Sequence, residues 1–339
     1  MARRDPADGG PIDDALRALR DHVAGVDVDA ALRCGPFRLR RKIGSGAVAD
    51  VFAASKGASG DERFAVKLLR PGTGGDETLQ RFAREHSLLR SIRHAGIIEV
   101  LGSGIHPSGT PWFAMPLVDG APITLACDAR RLGMEARLAA VRATCDAVAA
   151  AHVAGVLHRD LKPGNVLLAH SSGEPAVKII DFGMARAIAA REARLTPLGV
   201  AHRLGTPEYM APEQWKDGIA ECDARADVFA IGMLLGEIAC GVVPRGEDSG
   251  LRTTASSRAR RAPPPPCLPS EAFARLRRTD AQAADSVARA RRMPSAELLQ
   301  AFLVSRIDPL VAAMTSVARN GRAADAGAAK AILDSAADP

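Results

Sequence analysis

The chain has 339 residues, 47% of them hydrophobic, enough for one large domain or two lobes with cores of their own. Its formal charge of +6 is carried mainly by arginine, with only seven lysines, and one tyrosine and two tryptophans leave little surface for stacking bases, so no nucleic-acid partner is expected. Six cysteines without a C-x-x-C pair, a charged start ("MARRDPADGGPIDD") and no run near the ~20 apolar residues of a membrane span predict a cytoplasmic protein with reduced thiols and no membrane segment.

In chain order, residues 1–36 form an N-terminal extension. Within it Ile12, Leu16, Leu19 and Val23 share one helical face, which either packs on the main domain or takes a regulatory partner. From Phe37 the pattern alternates as in a half-buried strand: Phe37, Leu39, Arg41, Ile43. Further strand-like runs are "DVFAAS", "RFAVKLL", "IIEVLGSG" and "WFAMPLV", interrupted by one helical stretch, "ETLQRFAREHSLLRSI". Beyond residue 120 the text turns helical. "EARLAAVRATCDAVAAAHVAG" reads as an Ala-rich buried helix, and "ADVFAIGMLLGEIACG" is apolar on nearly all sides and therefore internal. Residues 244–270 have the Pro, Ser, Thr and Arg content of a loop. "PSAELLQAFL" closes with a helix, and 304–339 is an Ala-rich C-terminal extension.

Several short segments carry chemistry. In "IGSGAVADVF", Gly44, Ser45 and Gly46 permit a tight turn whose backbone can approach phosphate oxygens, although a glycine hairpin of any sheet would look the same. Strand–turn–strand context, with no helix following, disfavours a dinucleotide-binding fold. Lys67 lies in the apolar run "FAVKLL" and needs a counter-charge unless it is exposed on an edge strand; Glu85, on the next helical stretch, is the obvious partner. "GVLHRDLKPGNVLL" then places His158, Arg159, Asp160, Lys162 and Asn165 between apolar pairs, which packing alone would not do. Asp181 ends a strand pattern in "IIDFGMAR". Asp160, Asn165 and Asp181 are a carboxylate base and hard oxygen ligands, a set suited to magnesium and phosphate chemistry and not to zinc. "GTPEYMAPEQ" follows with Glu213, and "ADVFAIG" places Asp227 beside a buried helix.

Taken together, in this order and spacing, these segments resemble the signature set of protein kinases, in the flavour of bacterial eukaryotic-like (Hanks-type) serine/threonine kinases, over about residues 37–303. The resemblance implies an α+β, bilobal protein-kinase fold, with a small β-rich N-lobe (37–118) and a larger, mainly α-helical C-lobe (119–303). It implies ATP, Mg2+ or Mn2+ as cofactors, and protein substrates bearing Ser or Thr. Lys67, held by Glu85, would contact the α- and β-phosphates, and Asp160 would take or orient the proton of the acceptor hydroxyl. Asn165 and Asp181 would hold the metal ions, and Lys162 would lie near the γ-phosphate. Val51 and Ala65 would roof the adenine, Leu167 would floor it, Met115 would lie behind it, and Val118 would supply a backbone N–H. Pro116 stands where many members carry an acidic residue, but only its carbonyl is needed. Leu89, Val100, His158 and Phe182 would stack as an internal spine, and Glu213 would pair with Arg292.

Arg159 before Asp160 marks the subset of kinases ordered by a phosphate paired with this arginine. Thr196 is the only hydroxyl between Asp181 and Gly205 and so one candidate phosphosite; Thr253, Thr254, Ser256 and Ser257 are others, and Thr206 would bond Asp160 and Lys162. The rival functions are a pseudokinase-like nucleotide-binding scaffold and a small-molecule phosphotransferase. None of the Lys, Asp or Asn positions is degraded as in the first, and "GTPEYMAPEQ" builds a peptide-docking segment that the second does not need.

Overall fold

A computed structural model describes residues 32–46, 49–57, 60–70, 90–170, 176–182, 207–216, 222–246 and 265–336. The chain divides into two compact units: one runs to Arg93 and takes in Ile98–Leu117, and the other comprises His94–Ile97 and everything from Val118.

The first unit is an antiparallel sheet of six strands, β1 (Arg33–Cys34), β2 (Phe37–Ser45), β3 (Ala49–Lys56), β4 (Phe64–Leu69), β5 (Gly102–Ile105) and β6 (Pro111–Pro116), in the order β1-β2-β3-β4-β6-β5. Alternation in β2 buries Phe37 and Leu39 while the residues between them stay half-exposed, as a sheet with one buried face requires. The core gathers Leu32, Phe37, Leu39, Phe52, Val66, Leu68 and Trp112. Phe37 meets Phe64 edge-on at 5.3 Å and Trp112 at 6.0 Å between ring centroids. Gly35 turns the chain from β1 into β2 at φ 57, and a Cβ there would stand 2.9 Å from the Trp112 ring, so both backbone and packing demand glycine. The sheet thus begins ahead of Phe37. A two-residue strand is too short to show a period, which is why the alternation is first readable at 37. Of the strand-like run "IIEVLGSG", only Gly102–Ile105 is strand; Ile97, Ile98 and Val100 are buried ahead of it, because an unbroken apolar run specifies burial and not a period.

In the second unit, β7 (Gly120–Pro122), β8 (Val166–Ala169) and β9 (Val177–Ile179) form a small sheet. Around it lie α1 (Ile123–Ala129), α2 (Met134–Val153), α3 (Pro212–Lys216), α4 (Ala224–Cys240), α5 (Pro269–Thr279), α6 (Ala281–Ala290), α7 (Ala296–Phe302), α8 (Asp308–Thr315) and α9 (Ala326–Ser335). Helix α4 is buried on nearly every side, as its composition predicts. Asp223 caps it, accepting from the Arg225 N–H, and Gly241 ends it in the left-handed conformation at φ 82.

The segment read from sequence as a C-terminal extension is helical and packed: α8 lies against α4 and α9 against α2. A π-turn, Leu303–Ile307, joins α7 to α8, making Ala296–Thr315 continuous. With a mean hydropathy of 1.3 over its most apolar window, this stretch has the length and composition of a membrane span, which a reading by separate runs does not detect. Its Leu299, Leu303, Ile307, Val311 and Met314 are fully buried within the unit, as in the core helix of a folded domain.

Candidate active site

The local structure around Asp160 follows from where its backbone hydrogen bonds go. Leu161 is buried and Val166 and Leu168 point inward from β8, so the polar residues between these anchors are carried on a loop and a 3-10 turn, Pro163–Asn165. The loop is gripped from below by Asp227 of α4. That carboxylate accepts the backbone N–H groups of His158 at 2.8 Å and Arg159 at 2.7 Å, and His152 Nε2 at 2.9 Å. Burial alone would raise the Asp227 carboxyl; the hydrogen bonds it accepts, from His152 first and from the His158 backbone, outweigh it and hold it below the usual carboxylate value. Gln214 of α3 holds the other side, its Nε2 donating to the Arg159 carbonyl at 3.0 Å. Arg159 itself adopts φ 63, a left-handed conformation that non-glycine residues keep only where the surroundings over-determine it.

This grip places three side chains together. Asn165 Nδ2 donates to the Asp160 carbonyl at 2.7 Å and reaches its Oδ2 at 3.3 Å, and Lys162 Nζ lies 3.3 Å from the same Oδ2. The Asp160 side chain is 9% exposed and that of Lys162 28% exposed, a carboxylate close to the surface with a cation beside it. Because Asn165 spends its amide nitrogen on Asp160, its remaining polar atom is an oxygen, the donor type a hard divalent cation takes. The chain then returns through β9. Ile180 N–H donates to the Asn165 carbonyl at 2.9 Å, and the Ile180 carbonyl meets His158 Nε2 at 3.2 Å. His158 is fully buried, and burial pulls its pKa down despite Asp227 and Asp160 nearby, so the imidazole is neutral, with Nδ1 turned to the Asp160 N–H. Its ring lies 4.8 Å from that of Phe182. Asp181, between Ile180 and Phe182, sits at φ 60, left-handed like Arg159. Asn165 offers an amide oxygen and Asp181 a carboxylate, both hard oxygen donors of the kind a divalent cation takes.

The first unit carries the other half of the expected residues. Gly44 opposes Val51 and Ser45 opposes Asp50 across β2 and β3, and the Gly46 N–H closes the turn onto the Ala49 carbonyl at 2.8 Å. Val51 pairs with Lys67, and Ala65 with Met115, so these four side chains follow from one register of β3, β4 and β6. Lys67 is buried at 7% exposure, its Nζ 5.9 Å from the Phe113 ring centroid, which excludes the exposed edge-strand alternative. Pro116 ends β6, and Val118 opens the second unit's share of the chain.

Residues 37–279 match the protein kinase domain family. The chain belongs to the protein kinase family. It is 36% identical over 247 residues to the serine/threonine-protein kinase Pkn1 of Myxococcus xanthus, covering 72% of this chain and 34% of that protein. It is 39% identical over 227 residues to the DNA damage-responsive serine/threonine-protein kinase RqkA of Deinococcus radiodurans, covering 64% and 32%. The chain thus spans about a third of the length of these two relatives. Among solved structures, the PknI kinase domain of Mycobacterium tuberculosis superposes with a TM-score of 0.58 at 23% identity, over 90% of this chain and 97% of that one, a likeness of fold.

Within this kinase, one expected pairing is corrected. Glu213 does not meet Arg292, whose Nε donates to the Arg131 carbonyl. Its partner is Arg322, whose two terminal nitrogens reach the Glu213 carboxylate at 2.6 and 2.9 Å in a buried, two-pronged pair. Burial acts to raise the Glu213 carboxyl, but the Arg322 bonds prevail and hold it low. Arg322 also stacks over Phe229, 4.9 Å from its centroid, and Arg245 stands 5.2 Å from the same ring. Arg245 in turn donates to the carbonyls of Glu208 and Met210, fixing the turn Pro207–Tyr209, and burial lowers its pKa to about 10. Sequence reasoning missed Arg245, Arg322, His152 and Gln214. Glu85, Leu89, Thr196, Thr206, the 253–257 cluster and the N-terminal helix lie outside the described residues.

Proposed function

We propose that this kinase is an active serine/threonine protein kinase, transferring the γ-phosphoryl group of Mg-ATP to Ser and Thr hydroxyls of proteins, including its own. The observation that supports this most is the Asp160–Lys162–Asn165 cluster held over Asp227, because it joins a partly exposed base, a cation and an oxygen ligand on one braced loop. Asp160 takes the proton of the acceptor hydroxyl as its oxygen attacks the γ-phosphorus and ADP departs. Lys162 neutralises charge on the transferring group, and Lys67 holds the α- and β-phosphates. Asn165 and Asp181 would hold Mg2+, or Mn2+ in its place, which would supply positive charge to offset that of the phosphates. Gly44, Ser45 and Gly46 bring backbone close to the phosphates, while Val51, Ala65, Met115 and Pro116 offer the first unit's surface to the adenine.

A cytoplasmic location is proposed with it. All six cysteines are free, and burial pushes the thiols of Cys34, Cys145, Cys222 and Cys240 up to about 12, which suits a reducing compartment and makes them packing residues. The test is transfer of label from γ-labelled ATP to a generic basic protein and to the chain itself. Label on serine and threonine that is lost in Asp160→Asn supports the reading. Nucleotide binding without transfer in the wild-type chain would make it a pseudokinase.

A further inference from the structure

Asp50 is a carboxylate at the start of β3 with 3% exposure, directly after the glycine turn. A charge so placed needs compensation. Its Oδ1 receives the Ser45 hydroxyl at 2.7 Å, Lys42 Nζ at 2.8 Å and an Arg70 terminal nitrogen at 3.0 Å. The same Arg70 nitrogen also donates to Ser45 Oγ at 2.9 Å. Lys42 and Ser45 belong to β2, Asp50 to β3, and Arg70 follows β4, the strand of Lys67. One carboxylate oxygen therefore ties three consecutive strands at the end of the sheet where the glycine turn leaves it. The tie coincides with an irregularity: the β2–β3 register shifts between Lys42 and Gly44, immediately before Ser45 pairs with Asp50.

We propose that Asp50 is a positioning residue for nucleotide: through Ser45 and Arg70 it holds the glycine turn against the β4 strand before the phosphates arrive. The proposal rests on the kinase reading above. Glycine gives a turn close approach to phosphate but also the largest conformational freedom to lose on binding. A turn held in its binding-competent form for a larger fraction of the time raises apparent affinity by that fraction. Lys42 and Arg70 are 30% and 42% exposed at the side chain, so their own pull on a phosphate is screened by solvent, whereas the tie is local and centred on the buried Asp50 carboxylate.

Two variants of the whole chain separate positioning from charge. Asp50→Ala removes the oxygen; Ser45→Ala cuts the turn from that oxygen without changing any charge. We expect each to weaken Mg-ATP binding about fivefold at low and high salt alike, with kcat at saturating nucleotide held within about twofold in Asp50→Ala. In the nucleotide-free protein, the amides of residues 44–46 and 49–51 should exchange faster with solvent in both. The proposal is overturned if amide exchange in this stretch is unchanged in Ser45→Ala. It is equally overturned if Asp50→Ala tightens nucleotide binding at low salt and loses that effect at high salt, which would make Asp50 a charge regulator. A wild-type chain that binds no Mg-ATP would refute the kinase reading itself, and the exchange measurement would still decide whether Asp50 holds the turn.

Discussion

At the scale of single residues, the decisive feature is how the backbone around Asp160 is held. Its neighbours His158 and Arg159 lend their N–H groups to one buried carboxylate, Asp227, and Asn165 bonds both its carbonyl and its side chain. Asp160→Asn keeps the shape of the side chain and removes the carboxylate proposed as the base. We expect phosphoryl transfer to fall about 10³- to 10⁴-fold while Mg-ATP affinity and the unfolding midpoint stay near wild type. Single-turnover transfer alongside thermal melting checks this, and a variant retaining full transfer would remove Asp160 from the role given to it. These residues were legible in the sequence because the chemistry demands several polar groups within one loop, and a loop is contiguous in sequence. Arg322 was not legible. It lies 109 residues from Glu213 in a chain rich in arginine, and nothing local distinguishes it from Arg292. Arg245 was hidden for a related reason: it stands in a segment whose composition is that of a loop, yet its guanidinium is buried against Phe229.

Elements explain why Glu213 matters. Helix α3 is only five residues long and cannot hold itself; its hold on α4 comes through Arg322, which also donates to the Arg225 carbonyl at the start of α4. Arg322→Met removes the two-pronged bond to buried Glu213, leaving the more distant Arg319 at 4.0 Å, and should cost about 3 kcal/mol at neutral pH. The pH dependence follows from direction. Glu213 titrates below its ordinary 4.5 in the folded protein, so its contribution is present above that value and is lost as pH falls through the lower, folded pKa. The stability difference between wild type and Arg322→Met should therefore be largest near neutrality and shrink as pH drops below about 4.5. Chemical denaturation of both proteins across that range measures it, and a difference independent of pH would assign the stability of the region to the Phe229 stack instead. At this scale, long helices such as Met134–Val153 and Ala224–Cys240 were legible from composition, whereas the short Pro212–Lys216 and the two-residue strand Arg33–Cys34 were not, being too brief to carry a period.

For the whole molecule, the family match ends at residue 279, but the second unit does not. Leu303, Ile307, Val311 and Met314 are fully buried, α8 packs on α4, and the α9 backbone reaches the active-site scaffold where the Ala326 N–H meets His152 Nδ1 at 3.3 Å. That bond leaves Nε2 as the donor to Asp227, so the C-terminal helix sets the tautomer of a histidine that braces the loop of Asp160. Residues 37–279 produced alone should lack a cooperative unfolding transition, whereas residues 32–336 should show one by calorimetry; a cooperative melt of the shorter piece would show that the later helices are dispensable. Their packing was not visible beforehand because an alanine-rich sequence specifies helix without specifying a partner.

The proposed function requires this chain to bind ATP through a divalent cation, with Asn165 and Asp181 as its ligands. Titration calorimetry with ATP, with and without Mg2+, on the wild-type chain and on Asp181→Asn addresses it most directly. The wild type should bind with a one-to-one stoichiometry that depends on Mg2+, and Asp181→Asn should lose most of that dependence. Heat of binding that is absent, or that is the same with and without Mg2+, would contradict it.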